Sequence, residues 1–80
     1  MLIEVFGPGC AKCRQSAETA SAFLLAKSLE GEVVKHADIE TMVERGVLRT
    51  PAVIIDGVKI VEGRVLREKD LEAYFAKKEN

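Results

Sequence analysis

The chain has 80 residues, a net charge of −1, and 48% hydrophobic and 31% charged residues. This length predicts one domain over residues 1–80, and the composition is typical of a soluble globular protein. The small net charge argues against nucleic acid as a partner, and no apolar run approaches the roughly 20 residues of a membrane span. The amino terminus lacks the basic and apolar regions of a secretory signal, so we expect a cytoplasmic protein that binds neither nucleic acid nor membrane.

The first predicted strand covers residues 2–6, which are apolar apart from Glu4. Such a run is typical of a strand that is buried on both faces. The Gly-Pro-Gly segment at residues 7–9 then ends the strand. A long helical pattern follows over residues 10–29, and Gly31 is placed to end that helix.

The middle of the chain predicts a short strand followed by a short helix. The strand covers residues 33–36. Asp38 can cap the helix that follows, and Gly46 can end it. The apolar residues of this helix, at helical spacing, are Ile39, Met42 and Val43.

The last third of the chain predicts a hairpin and a final helix. Residues 52–55 and 58–61 are apolar runs joined by Asp56-Gly57, a strong hairpin signal. No evident capping residue marks the start of the final helix, whose apolar stripe consists of Leu71, Tyr74 and Phe75. The resulting order, β-α-β-α-β-β-α, predicts an α/β fold with a four-stranded mixed sheet flanked by three helices.

The two cysteines of the chain, Cys10 and Cys13, form a C-x-x-C motif that follows a strand and opens a helix. The first turn of a helix stabilises negative charge, so a thiolate at Cys10 is favoured and its pKa is expected to fall. Cys13 shares one helical face with three apolar residues, which predicts that it is largely buried. This face continues through Ala17, Ala20 and Leu24.

This arrangement favours thiol–disulfide exchange, in which Cys10 attacks a partner's disulfide and Cys13 resolves the mixed disulfide. The redox centre would be the Cys10–Cys13 disulfide, without a dissociable cofactor. The expected partners are protein disulfides or dithiols and an unidentified reductase. The alternatives are a soft-metal or metal-chaperone site on the two thiolates, a structural disulfide, or an inert pair. We assign no metal site, and we expect His36 to be a surface residue.

The element order, the C-x-x-C motif and Thr50-Pro51 before the third strand together resemble the thioredoxin superfamily, especially its small glutaredoxin-like members. The resemblance implies that Cys10 is the nucleophile and Cys13 the resolving thiol. It also implies that Pro51 follows a cis peptide bond beside the thiols, and that the backbone of Thr50 binds an extended peptide of the partner. Gly63 resembles the glycine that follows the fourth strand in these proteins.

Glu4 is a candidate proton acceptor. The chain resembles thioredoxins in this respect too, since they have a buried acid six residues before the nucleophile and Glu4 is six residues before Cys10. A buried carboxylate with a raised pKa could take the proton of Cys13. The alternative is that solvent or Lys59 reaches Glu4.

Several surface features leave two interpretations open. Four arginines either form a partner-docking rim or are simply solvated, and two apolar loop residues, Val47 and Leu48, either form a docking patch or fill the core. The arginines are Arg45, Arg49, Arg64 and Arg67. Nothing in the sequence demands more than a monomer.

Overall fold

The computed structural model describes residues 1–9 and 11–79, without the side chains of residues 78 and 79. In this part of the chain the elements follow the predicted order, which confirms the α/β class with a four-stranded mixed sheet and three helices. The elements are β1 (Leu2–Phe6), α1 (Ala11–Ala26), β2 (Glu32–His36), α2 (Ile39–Glu44), β3 (Ala52–Ile55), β4 (Val58–Glu62) and α3 (Glu68–Glu79). None of the described helices is long and apolar enough to span a membrane.

The strands are arranged in the order β2-β1-β3-β4. β1 is parallel to β2, which it reaches through α1, whereas β1 pairs with β3 and β3 with β4 in antiparallel register. The two central strands are almost wholly buried, in agreement with their apolar sequences. Side chains therefore pack on both faces of the sheet, and alternate positions along β1 point to opposite layers.

The two layers of the core differ in size. On the larger side, Ile3 and Val5 of β1 pack with residues of α1 and α3. On the smaller side, Phe6 packs with Met42 of α2 and with three further buried residues. Those three are Val47, Ala52 and Ile54. The alternation along β1 consequently places Glu4 on the α2 side of the sheet and Val5 on the α1 side.

The helix α1 ends at Ala26, three residues before the predicted end. Ser28 adopts a left-handed conformation, with φ of 53°. The Leu29 N–H donates to the Leu24 carbonyl at 2.9 Å, and the Ser28 N–H donates to the Leu25 carbonyl at 3.2 Å. This pair of bonds is a Schellman motif, a helix ending for which glycine is the usual residue. The prediction at Gly31 was wrong because a serine occupies the left-handed position.

The helix α2 begins as predicted, but its apolar residues do not form one buried face. The Asp38 carboxylate accepts hydrogen bonds from the N–H groups of Glu40 and Thr41, and so caps the helix. Met42 is buried, whereas Ile39 is 74% exposed and Val43 is 71% exposed. Met42 is therefore the one residue of this six-residue helix that enters the smaller layer of the core.

The predicted hairpin between β3 and β4 is present. Asp56 and Gly57 both have positive φ, 46° and 85°, as a type I′ turn requires. The Asp56 carboxylate also accepts a hydrogen bond from the Leu2 N–H at 2.8 Å, which fastens the turn to the start of β1.

An acid in the first turn organises the start of α3. The Asp70 carboxylate accepts a hydrogen bond from the Arg67 N–H at 2.9 Å, which is the returning half of a capping box. It also pairs with both terminal nitrogens of Arg64, at 2.7 and 2.8 Å. Further along the helix, Leu71 is buried and Phe75 stacks on Phe23 of α1 at a centroid distance of 5.4 Å.

Candidate active site

Cys13 is the third residue of α1 and is only 4% exposed. It lies on the inner face of the helix with Ala17 and Ala20, which are also buried. The burial that the helical spacing predicted for Cys13 is therefore observed. The predicted nucleophile, Cys10, precedes α1 in the sequence and lies outside the described residues.

Gly7, at the end of β1, makes room for the Cys13 sulfur. A Cβ atom at position 7 would overlap Cys13 Sγ and would lie 3.2 Å from Cys13 Cβ. The Gly7 N–H donates to the His36 carbonyl at 2.9 Å, which prolongs the β1–β2 ladder by one bond and fixes the glycine in place. The sequence interpretation treated this glycine only as a strand breaker. The sequence feature that could have indicated this role is the position of Gly7, a small residue between a buried strand and a C-x-x-C motif.

The loop before β3 also comes close to Gly7. The peptide bond between Thr50 and Pro51 is cis, the conformation that the resemblance implied. Thr50 Cβ would lie 3.7 Å from a Cβ at Gly7, so Thr50 and Cys13 both border this glycine. Thr50 is exposed and Pro51 is buried. The Pro51 carbonyl accepts a hydrogen bond from the Gly63 N–H at 2.9 Å, which joins the loop to the end of β4.

An open hollow of about 270 Å³ lies beside Cys13, toward β2. The basic side chains that line it are Arg14, from the first turn of α1, and Lys35, from β2. The remaining lining residues are small or apolar: Val5, Gly7, Gly9 and Ala37. The buried thiol thus lies between Gly7 and a hollow whose charged lining is positive.

Glu4 is buried, at 4% exposed, but the structure does not bring it to the Cys13 thiol. Its carboxylate accepts hydrogen bonds from both terminal nitrogens of Arg45, one of them at 2.8 Å. It also lies 3.0 Å from His36 Nε2. These partners are on the α2 side of the sheet, whereas Cys13 is on the α1 side. The contact with Lys59 that was the alternative is absent too, because Lys59 Nζ donates to Glu62 and to the Gly46 carbonyl.

The electrostatic environment of Glu4 is the opposite of what a proton acceptor for Cys13 requires. The hydrogen bond from Arg45 lowers the pKa of Glu4, against the effect of burial, and the contact with His36 lowers it further. A carboxylate with a lowered pKa is a weaker base. The prediction of a raised pKa at Glu4 was therefore wrong, because the sequence does not show that a cation covers this acid.

His36 and Arg45 are the functional partners of Glu4 that the sequence interpretation missed. The His36 ring is half-buried and stacks on Phe6 at a centroid distance of 4.8 Å, so it is not a simple surface residue. Arg45 ends α2 and bonds Glu4, and Arg64 bonds Asp70, so neither guanidinium forms an open rim. The sequence feature that could have indicated such partners is Glu4 itself. It is an acid inside an apolar strand, and a buried charge needs a partner.

Within residues 1–9 and 11–79, no three His, Cys, Asp or Glu side chains come together in a way that could hold a metal ion.

The chain is similar in sequence to known thioredoxins. A family model described as a thioredoxin domain matches residues 1–76. A thioredoxin of Methanocaldococcus jannaschii is 34% identical over 65 residues, which cover 81% of this chain and 74% of that protein. A thioredoxin of Methanothermobacter thermautotrophicus is 25% identical over 72 residues, with coverages of 90% and 94%.

A solved structure supports the same fold. Thioredoxin 1 from the thermophilic eubacterium Thermosipho africanus aligns over 100% of both chains, with a TM-score of 0.59 and 20% sequence identity. At 20% identity, the similarity between the two chains shows a shared fold.

Proposed function

Since the chain belongs to the thioredoxin-domain family, a family of thiol–disulfide oxidoreductases, we propose that it reduces or exchanges protein disulfides through Cys10 and Cys13. The observation that carries this proposal is the position of Cys13. This thiol is buried in the first turn of α1 and borders Gly7, which Thr50 also borders.

The two thiols have different tasks in the proposed reaction. Cys10 directly precedes α1 in the sequence, and the N–H groups of a first helical turn favour a thiolate there. The first turn of α1 also contains no acidic residue that would oppose this effect. The Cys10 thiolate attacks one sulfur of the partner's disulfide, a new S–S bond forms, and the other sulfur of the partner leaves as a thiolate that takes up a proton.

Cys13 completes the reaction. It loses its proton and attacks Cys10 Sγ, and the second sulfur of the partner leaves as a thiolate and is protonated in turn. The partner gains two electrons and two protons, and the protein holds a Cys10–Cys13 disulfide. A reductant must then restore the dithiol, and in an assay dithiothreitol supplies those electrons.

The partner's peptide has a natural position beside Thr50. This residue is exposed next to the buried thiol, and its loop is fixed by the bond between Gly63 and the Pro51 carbonyl. An extended peptide can pair with the backbone of Thr50 as an added strand, which would hold the scissile disulfide above the cysteine pair.

A peptide that contains one disulfide and a fluorophore–quencher pair tests this proposal, with dithiothreitol as the regenerating reductant. Cys10→Ser is expected to abolish catalysed reduction. In a separate incubation without dithiothreitol, Cys13→Ser is expected to accumulate a mixed disulfide through Cys10, visible as a mass increase that added dithiothreitol removes. The control Ser21→Ala, an exposed site on α1, is expected to keep the original rate. Full activity of Cys10→Ser would overturn the proposal.

A further inference from the structure

We propose that the hollow beside Cys13 receives an acidic side chain of the partner's peptide, close to the disulfide that is exchanged. This inference rests on the proposed function and specifies the partner it favours. Its first basis is the lining of the hollow, in which Arg14 and Lys35 face the same space of about 270 Å³ as Cys13. No carboxylate is among its described lining residues.

The two cations remain available to a ligand. Both side chains are exposed, and neither takes part in an ion pair within the described part of the chain. A guanidinium and an ammonium that face one space can hold a carboxylate by charge-assisted hydrogen bonds, of which the guanidinium supplies two in parallel.

Of the acids near this region, two are bonded elsewhere and the third, Glu18, forms no ion pair with Arg14 or Lys35. Asp38 directly follows Ala37, which lines the hollow, but its carboxylate bonds the first turn of α2. Glu4 is held by Arg45 on the other side of the sheet. Glu18 lines the adjacent hollow with Arg14 and Lys35, about one helical turn further from the amino-terminal end of α1.

Two further cations, Lys12 and Arg49, lie at the same end of the molecule, where the Glu62 carboxylate accepts hydrogen bonds from the N–H groups of Leu48 and Arg49. Lys12 is exposed in the first turn of α1. Arg49 directly precedes Thr50, and its aliphatic part lies against Gly63, where a Cβ would come within 3.1 Å of Arg49 Cδ. The whole chain has a net charge of −1, so these cations reflect local placement and not a basic composition. Such a field attracts acidic partners and speeds their encounter.

The sheet order supplies the geometry of docking. β1 lies between β2 and β3, so Lys35 and Thr50 are on opposite sides of Gly7. A peptide that pairs with Thr50 and crosses the thiols therefore brings a flanking residue to the hollow. If that residue is Asp or Glu, its carboxylate meets Arg14 and Lys35.

Three disulfide peptides that differ only in the residues flanking one cysteine, Asp, Ser or Lys, test this inference. At low ionic strength, kcat/KM for the Asp peptide is expected to exceed that for the Lys peptide about tenfold, and high salt should reduce this ratio toward one. Arg14→Gln and Lys35→Gln should each lower the ratio several-fold.

The matched control is Lys27→Gln, which removes the same charge just after the end of α1, 14 residues beyond Cys13 and about 21 Å away at the rise of a helix. It is expected to leave the ratio unchanged. Equal rates for the three peptides, or an equal effect of Lys27→Gln and Arg14→Gln, would overturn the acidic docking site alone. Failure to reduce any of the peptides would contradict the proposed function, and the docking site with it.

Discussion

Gly7 and Cys13 are so close that the hydrogen of a glycine is the largest substituent that fits between them. A Cβ at position 7 would overlap the Cys13 sulfur, although the backbone of Gly7 lacks the positive φ that usually explains a glycine. The requirement at this position is therefore steric. It links the end of β1 to the placement of the buried thiol.

The substitution Gly7→Ala is expected to displace Cys13 and to slow disulfide exchange about tenfold to 100-fold, because small misplacements of reacting groups have effects of that size. The measurement is the rate of peptide-disulfide reduction by a folded variant. Gly46→Ala is the control, since Gly46 has φ of 71° and a Cβ there meets nothing within 4 Å. It should cost about 1 kcal/mol of stability without slowing exchange. Equal rates for Gly7→Ala and the original chain would contradict the steric account.

Ser16 ties α1 to the loop before α3. Its hydroxyl is fully buried and accepts a hydrogen bond from the Leu66 N–H at 3.0 Å. Ser16→Ala leaves that buried N–H without its acceptor and should lower the free energy of unfolding by roughly 1–3 kcal/mol. Urea denaturation measures this loss. Ser21→Ala, on the exposed face of the same helix, should stay within about 0.5 kcal/mol of the original chain. Similar results for the two variants would argue against the bond.

Glu4 is expected to make stability depend on pH. Its pKa in the folded protein is lowered from the ordinary value of 4.5, chiefly by the hydrogen bond from Arg45. The stabilisation is therefore complete well above pH 4.5 and is lost as the pH falls through the lowered pKa. Glu4→Gln should lose roughly 1–3 kcal/mol at pH 7, and its difference from the original chain should shrink in acid.

Urea denaturation at pH 7 and at pH 3 measures that difference, with Glu72→Gln as an exposed control on α3. A difference between Glu4→Gln and the original chain that grows in acid would be inconsistent with the ion pair.

The helix α2 provides a contrast between adjacent residues. Met42 is 8% exposed and Val43 is 71% exposed. Met42→Ala should cost about 2 kcal/mol or more because it empties part of the smaller core layer. Val43→Ala should change stability by less than about 0.5 kcal/mol. Thermal or urea unfolding of the two variants checks this, and the reverse order would mean that α2 packs through its other face.

The order of elements could be predicted because local signals mark it clearly. The central strands are continuous apolar runs, and Asp56-Gly57 forms the type I′ turn that this dipeptide favours. The burial of Cys13 followed from the helical spacing alone. These features depend on neighbours in sequence, so periodicity and turn chemistry were sufficient.

The features that the sequence did not predict depend on long-range contacts. Glu4 and Arg45 are 41 positions apart, and their pairing determines the charge state of the acid. The hollow beside Cys13 requires that β2 lie next to β1 so that Lys35 and Arg14 share one space. The end of α1 is local, but Ser28 takes a conformation that usually belongs to glycine.

The proposed reaction requires that Cys10 and Cys13 act as one redox pair. The most direct test equilibrates the protein in buffers of reduced and oxidised dithiothreitol and counts thiols by alkylation and mass spectrometry. We expect both thiols to disappear together in a two-electron transition, in which the equilibrium constant changes tenfold for about 30 mV. If the protein keeps both thiols under oxidising conditions, or loses them one at a time, Cys10 and Cys13 are not a redox pair.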